Sequence, residues 1–525
     1  MNKQWMDVTP IAIAAALCVS ACGSGEPAAP NLASVKNIVV IYAENRSFDN
    51  LYGNFPGANG LQTVSAQSTQ QVDRNGAVLP TLPPVWSGLT QTGVTPVITE
   101  PMTADLPNGA FAIDDPTGFN APISTATRDL VHRFYQNQMQ IDGGKNDRFV
   151  AWGDSGALVM GRYTAGADKL PLWKIAQQYT LADNFFMAAY GGSFLNHQWL
   201  ICACSPVYPD ADKSPAAGLI SAVEPDGMTL KVAANSPASA LDGVPKFVND
   251  GALTPDFYAV NTMQPPYQPS ANAPATGGDA AFADPSIAST LPPQTQQTIG
   301  DLLNNAGVSW AWYSGAWGAA LNAAASGTPG VINGANLSVP NFQTHHQPFN
   351  FFASFAPGTG NRAKHLLDGG MEGSEFIKAI DAGTLPQVAF YKPQGNLNEH
   401  PGYTDVESGD QHVADVIAHL QKSPQWKNMV VIVTYDENGG FWDHVAPPKG
   451  DRWGPGSRIP ALIVSPFAKK GFVDHTQYDT TSVLRLITRR FALPTLPGLA
   501  NRDAQLKANG AQPMGDLTNA LDIAL

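Results

Sequence analysis

Val35-Lys36-Asn37-Ile38-Val39-Val40-Ile41-Tyr42 is the stretch that decides the fold class. Its apolar residues, mostly β-branched, run on without the alternation of a half-exposed strand, which is the pattern of a strand covered on both faces. Asn428-Met429-Val430-Val431-Ile432-Val433-Thr434-Tyr435 repeats it. Residues 388–391, 308–313 and 459–465 are weaker strand candidates. Helical patterns lie between and after them, at 129–140, 171–179, 298–305, 408–421 and 480–490, the last behind the capping candidate Asp479. Strands alternating with helices predict an α/β fold, a three-layer sandwich with a mainly parallel central sheet.

The composition fits a large folded body. Of 525 residues, 43% are hydrophobic and 14% charged, enough apolar material for a sizeable core. With 30 Lys plus Arg against 43 Asp plus Glu, the net charge of −13 argues against nucleic acid as a partner, because such binding needs a basic face. The 49 glycines and 43 prolines gather in residues 54–127, 205–297 and 317–349, which predicts long loop insertions rather than further domains. Beyond the N-terminus no window has the length and apolarity of a membrane span.

That N-terminus carries Lys3, an apolar run over 11–19 and then Ser20-Ala21-Cys22-Gly23, which reads as an export signal with a cleavage site. Val19-Ser20-Ala21-Cys22 resembles a bacterial lipobox, and the resemblance implies a lipid on Cys22 and attachment to a membrane facing the periplasm or the exterior. With Cys18 removed, Cys202 and Cys204 are the cysteines left. One intervening residue makes a disulfide between them strained, and no third cysteine completes a thiolate metal site, so two buried thiols are expected.

Both strong strands end in acidic bursts. The first runs into Glu44-Asn45-Arg46-Ser47-Phe48-Asp49 and the second into Asp436-Glu437-Asn438-Gly439-Gly440. Ligands bind at the carboxyl ends of parallel strands, and three carboxylates with an amide oxygen are hard donors whose mutual repulsion a divalent cation would relieve. Gly191-Gly192-Ser193 precedes a predicted helix running to Ile201, so Ser193 sits where free backbone amides favour an anion. A serine needs a base or a metal to act as a nucleophile, and the Gly-x-Ser-x-Gly elbow of serine hydrolases is absent. His132, His345, His346, His400, His444 and His475 lie among polar or loop residues, whereas His412 and His419 fall on a helix and are expected at the surface.

Taken together, Glu44-Asn45-Arg46-Ser47-Phe48-Asp49, Gly192-Ser193-x-x-Asn196-His197 and Tyr435-Asp436-Glu437-Asn438-Gly439-Gly440-x-x-Asp443-His444 resemble the bacterial phosphoesterase family of acid phosphatases and non-haemolytic phospholipases C. Ile141-Asp142-Gly143-Gly144-Lys145, Asn398-Glu399-His400-Pro401-Gly402-Tyr403 and Gly454-Pro455-Gly456-Ser457-Arg458 support the match, in order along the chain. The resemblance implies an alkaline-phosphatase-like core and hydrolysis of a phosphate-ester substrate through a phosphoserine.

Carried over by position, it makes Glu44, Asn45, Ser193, Asp436 and Glu437 ligands of one divalent metal ion, whether Ca²⁺, Mg²⁺, Mn²⁺ or iron. Ser193 becomes the nucleophile, and His132, His345, His346 and His400 line the phosphate pocket and include the leaving-group acid. Asn45, Asn196 and His197 touch substrate. The expected organisation is a signal over 1–22, a linker over 23–34, a catalytic domain over 35–493 and a tail over 494–525. An exported acid phosphatase is the leading expectation and a phospholipase C the alternative. The short stretch after the core and the lack of an N-terminal arginine pair favour the first.

Overall fold

One eight-stranded sheet organises the chain. Its strands are β1 (Asn37–Ala43), β2 (Thr180–Ala182), β3 (Trp310–Gly315), β4 (Leu366–Gly370), β5 (Val388–Lys392), β6 (Met429–Tyr435), β7 (Ala461–Val464) and β8 (Phe472–Asp474), in the spatial order β8-β2-β7-β6-β1-β5-β3-β4. β7 runs antiparallel to both of its neighbours and every other pairing is parallel. The computed structural model describes residues 1, 31–325 and 342–524. The expected signal, with Cys18 and Cys22, and part of the 317–349 insertion lie outside the described residues.

Every residue of β1 and β6 is buried, so both faces of the central strands are covered. Each Val or Ile withdrawn from water contributes roughly 1.5–3 kcal/mol, which makes this pair the centre of the core. Two groups of helices cover the sheet. Val406–Lys422 packs with Pro171–Gln178 and Ser374–Asp381, and Ser193–Cys202 packs with Thr481–Phe491. The helix starts follow local chemistry: Asp405 accepts from Ser408 N at 2.7 Å, Thr298 and Asp301 form a reciprocal capping box, and Asp479 accepts from Thr481 N at 2.9 Å.

Several expectations need correction. The helix expected over 129–140 begins at Phe134, because the preceding segment is extended: Arg133 has ψ 157°, and Val131 N donates to Asp154 Oδ1. Cys202 and Cys204 are joined as a disulfide rather than left as thiols. The helix ends at Cys202, and left-handed Ala203 (φ 48°) turns the chain so that the two Cα atoms lie 5.1 Å apart, within the usual disulfide span. His412 is buried rather than superficial, held by the Tyr391 hydroxyl at 2.8 Å. Within 494–525 the chain forms the helix Pro497–Ala508, whose Arg502 is buried against Asp451 and Asp479.

The two long insertions before residue 300 contain short 3₁₀ turns and isolated bridges, and side chains stitch them together. Arg74 of the first donates to Ser239 O at 3.0 Å and Gly243 O at 2.7 Å in the second. Among the described residues no helix is long and apolar enough to cross a membrane.

Candidate active site

The sheet register delivers the acidic strand ends together. Ala43 of β1 lies opposite Tyr435 of the adjacent parallel β6, so Glu44-Asn45 and Asp436-Glu437 leave the sheet side by side. All four are fully buried. Asn45 takes a left-handed turn (φ 64°), which asparagine tolerates better than most residues, and its N–H donates to Asp436 Oδ1 at 3.2 Å. Gly439 (φ 61°) closes the turn from the other side, where a Cβ would lie 2.3 Å from Asn45 O.

Ser193 opens the helix Ser193–Cys202, and its Oγ lies 3.3 Å from Asn45 Oδ1 and 3.3 Å from Glu437 Oε1. Gly192 is required there by crowding, since a Cβ would meet His132 O at 2.5 Å. That contact brings His132 to the site. Its Nδ1 donates to Leu130 O at 2.6 Å, which turns Nε2 toward Asn45 Nδ2 at 3.4 Å and Glu437 Oε1 at 3.7 Å. The His400 ring stands edge-on to His132 at 5.6 Å, with Nδ1 spent on Pro401 O.

Glu44 faces a second group of residues. Its Oε1 is 2.7 Å from Lys392 Nζ and 2.5 Å from His346 Nε2, with His345 Nε2 at 3.8 Å, while Oε2 accepts from Asn398 Nδ2 and the Tyr403 hydroxyl, each at 2.8 Å. His197 joins the two halves: its Nδ1 is 2.8 Å from Ser193 O and 3.7 Å from Asp436 Oδ2. The nine residues expected as metal ligands or phosphate-pocket histidines therefore form one continuous cluster. Asn196 behaves differently from expectation. Its amide is spent on Ala189 N and O, at 2.9 and 3.1 Å, and braces the turn ahead of Ser193.

Burial sets the charges. It pushes Asp436 up to about 7 and Glu437 up to about 8, against the opposing pull of Lys392 on the first and His132 on the second. Burial would also raise Glu44, but Lys392 and then His346 hold that carboxyl well below its ordinary value. Burial lowers His345, His346 and His400, with His346 at about 3, which favours the uncharged form of each ring. In His132 burial is outweighed by Glu437 and Asp129, and the ring rises to about 9.

A divalent cation fits this donor set. Asp436 Oδ2 is buried with no hydrogen-bond partner among the described residues and lies 3.7 Å from His197 Nδ1, while Ser193 Oγ lies 3.3 Å from oxygens of both Asn45 and Glu437. Glu44, His197 and Asp436 bring ligand atoms within 4.8 Å of one another. Such hard oxygens suit Ca²⁺, Mg²⁺ or Mn²⁺. Glu44 and Glu437 each have both oxygens already partnered, the second by Ser193 Oγ on Oε1 and Gly439 N on Oε2, which leaves Asp436 Oδ2 as the free carboxylate oxygen of the three among the described residues. A second acidic group, Asp49, Asp443 and His444, is already neutralised by Arg458, 3.1 Å from Asp49 and 3.0 Å from Asp443.

The family model described as the phosphoesterase family matches residues 35–494. The chain belongs to that family. Hydrolysis of phosphoric ester bonds is accordingly the chemistry of this chain. Among curated relatives, this phosphoesterase is 24% identical over 553 residues to phospholipase C B of Mycobacterium tuberculosis, covering 98% of this chain and 82% of that protein. It is 28% identical over 294 residues to the non-hemolytic phospholipase C of Burkholderia pseudomallei, covering 47% of this chain and 39% of the relative. A solved structure from Vibrio parahaemolyticus, described as a protein in the alkaline phosphatase superfamily, matches at 14% identity with a TM-score of 0.28, covering 65% of this chain and 64% of that one.

Lys392, beside this candidate site, escaped the sequence reading, and Asn398 and Tyr403, though inside the matching segment 398–403, drew no role from it. Lys392 ends a strand that the sequence did predict, and a lysine at the carboxyl end of a parallel strand was the available signal.

Proposed function

We propose that this chain is an exported, metal-dependent acid phosphatase that hydrolyses phosphate monoesters through a phosphoserine at Ser193. The observation that carries the reading is the placement of Ser193 Oγ, 3.3 Å from both Asn45 Oδ1 and Glu437 Oε1, at a helix start beside buried carboxylates. A divalent cation held by Glu44, Asn45, Ser193, Asp436 and Glu437, whether Ca²⁺, Mg²⁺, Mn²⁺ or iron, would lower the hydroxyl pKa and offset the negative charge around the phosphoryl group.

Ser193 Oγ attacks phosphorus in line, and the bond to the leaving oxygen breaks. The free amides at the start of its helix face the phosphoryl oxygens, with the imidazoles of His345, His346 and His400 around them. His132 is the histidine that also borders the outer pocket, so it is placed to give a proton to the leaving oxygen. Water then attacks the phosphoserine and releases phosphate. Turnover of p-nitrophenyl phosphate, lost in Ser193→Ala together with the phosphoserine, is the expected result. Wild-type turnover by that variant overturns the scheme.

Phospholipase C activity is the second reading, favoured by the names of the curated relatives. Phosphatidylcholine turnover exceeding that of small monoesters would establish it. Export and a lipid on Cys22 are proposed from the apolar run 11–19 and Val19-Ser20-Ala21-Cys22. Metabolic labelling with a fatty acid tests the lipid, since Cys22→Ala should abolish the label.

A further inference from the structure

A pocket of about 550 Å³ opens beside His132 and is lined by Ser87, Thr90, Gln91, Thr92, Arg128 and Thr262 among other residues. Its walls carry hydroxyls, an amide and charged groups, with Leu130 and Val131 as the apolar members. Arg128 is the unusual residue. Among the described residues it alone of the arginines has no hydrogen-bond or ion-pair partner for its guanidinium, and its Nη1 is buried. Of the pocket's carboxylates, Asp154 Oδ1 accepts from Val131 N and Asp129 Oδ1 from Leu130 N, each at 2.9 Å, and Asp129 Oδ1 also lies 3.7 Å from His132 Nδ1.

The backbone around Arg128 is fixed in advance. Arg128 N donates to Leu89 O at 3.0 Å, Gln91 N to Ala126 O at 3.0 Å, and Thr90 bridges Thr127, so two extended segments hold the arginine in place. The same segment touches the His400 loop, where Gly402 N donates to Thr127 O at 2.8 Å and Gln91 Nε2 donates to Gly402 O. Arg128 is half-buried, and a guanidinium whose Nη1 is buried without a counter-ion is poorly compensated; its fork matches the oxygens of a carboxylate or phosphate.

We propose that this pocket is the subsite for the leaving group and that Arg128 selects esters whose alcohol carries a second oxyanion, a carboxylate or a phosphate, close to the scissile bond. The inference rests on the phosphomonoesterase reading above. His132 lines the same pocket, so an alcohol seated there would lie beside the group placed to protonate it. Hydroxyl groups of such a substrate would find Ser87, Thr90, Thr92 and Thr262.

The test compares kcat/KM for phosphoglycerate against glycerol phosphate, and for a hexose bisphosphate against its monophosphate, with p-nitrophenyl phosphate as the reference. In the wild-type protein the doubly anionic member of at least one pair is preferred by about tenfold or more, a gain of the size expected for one charged contact. Arg128→Met collapses that preference, chiefly through KM, and Arg128→Lys restores part of it. The pair that responds identifies carboxylate or phosphate as the second anion. Absence of any wild-type preference, or a preference unchanged in Arg128→Met, overturns the subsite while p-nitrophenyl phosphate is still hydrolysed. Failure to hydrolyse any monoester instead overturns the phosphatase reading on which it rests.

Discussion

Lys392 Nζ lies 2.7 Å from Glu44 Oε1, and both side chains are fully buried. The two residues end neighbouring parallel strands, β5 and β1, so the sheet itself holds the pair. The Lys392 ammonium also lies 5.4 Å from the Tyr42 ring centroid and has no other close polar partner among the described residues. Removing one member strands a buried charge. Lys392→Met should destabilise the protein by about 3–5 kcal/mol, and Glu44→Gln in the same chain should recover much of that loss. Urea unfolding with chelator present measures both, and an additive double variant would contradict the pairing.

Asp436 Oδ2 is buried with no hydrogen-bond partner among the described residues, so a cation bound there would act on stability as well as on catalysis. Chelation should abolish activity and lower Tm, and restoring a divalent ion at about 100 times its Kd should return roughly 2.7 kcal/mol. In Asp436→Asn the thermal response to added ion should shrink or vanish. A melting curve unmoved by either chelation or reconstitution would count against the site.

Gly192→Ala tests the contact between the turn ahead of Ser193 and the His132 segment. The added Cβ would sit 2.5 Å from His132 O, a backbone atom that cannot simply rotate away. Displacement of Ser193 or His132 by about 1 Å should cost on the order of 100-fold in kcat. Circular dichroism and thermal melting separate that loss from unfolding.

Asp410 gives the fold a pH dependence away from the site. Burial pushes its carboxyl up to about 7, and its Oδ2 has no hydrogen-bond partner among the described residues. Between the unfolded value of about 3.9 and that folded value, the native state holds a proton that the unfolded chain releases. Stability from this group is therefore present at low pH and lost as pH rises toward about 7. Asp410→Asn should remove that slope and stabilise the protein above neutral by no more than about 4 kcal/mol, while Oδ1 can still accept from Leu172 N. Parallel unfolding slopes in the two proteins would contradict it.

The central strands were legible because burial on both faces writes an unbroken apolar run, as in 35–42 and 428–435. Glu44 and Asp436 could be placed at one edge once both strands were taken as parallel neighbours. What the sequence hid depends on contacts distant along the chain. Arg128 looks like any surface arginine until the 89–91 segment fixes it beside His132. Left-handed Ala203 gives no warning that Cys204 returns to Cys202, and His412 reads as one more polar position on a helix until Tyr391 covers it.

Arg74 ties the insertion at 54–127 to the one at 205–297. The first supplies Ser87, Thr90, Gln91 and Thr92 to the outer pocket and the second supplies Thr262. The two inserts thus behave as one clamp assembled from separate pieces of sequence. A minimal catalyst made by trimming either insert would loosen the other jaw too, and exchange of leaving-group preference between family members should require grafting both together.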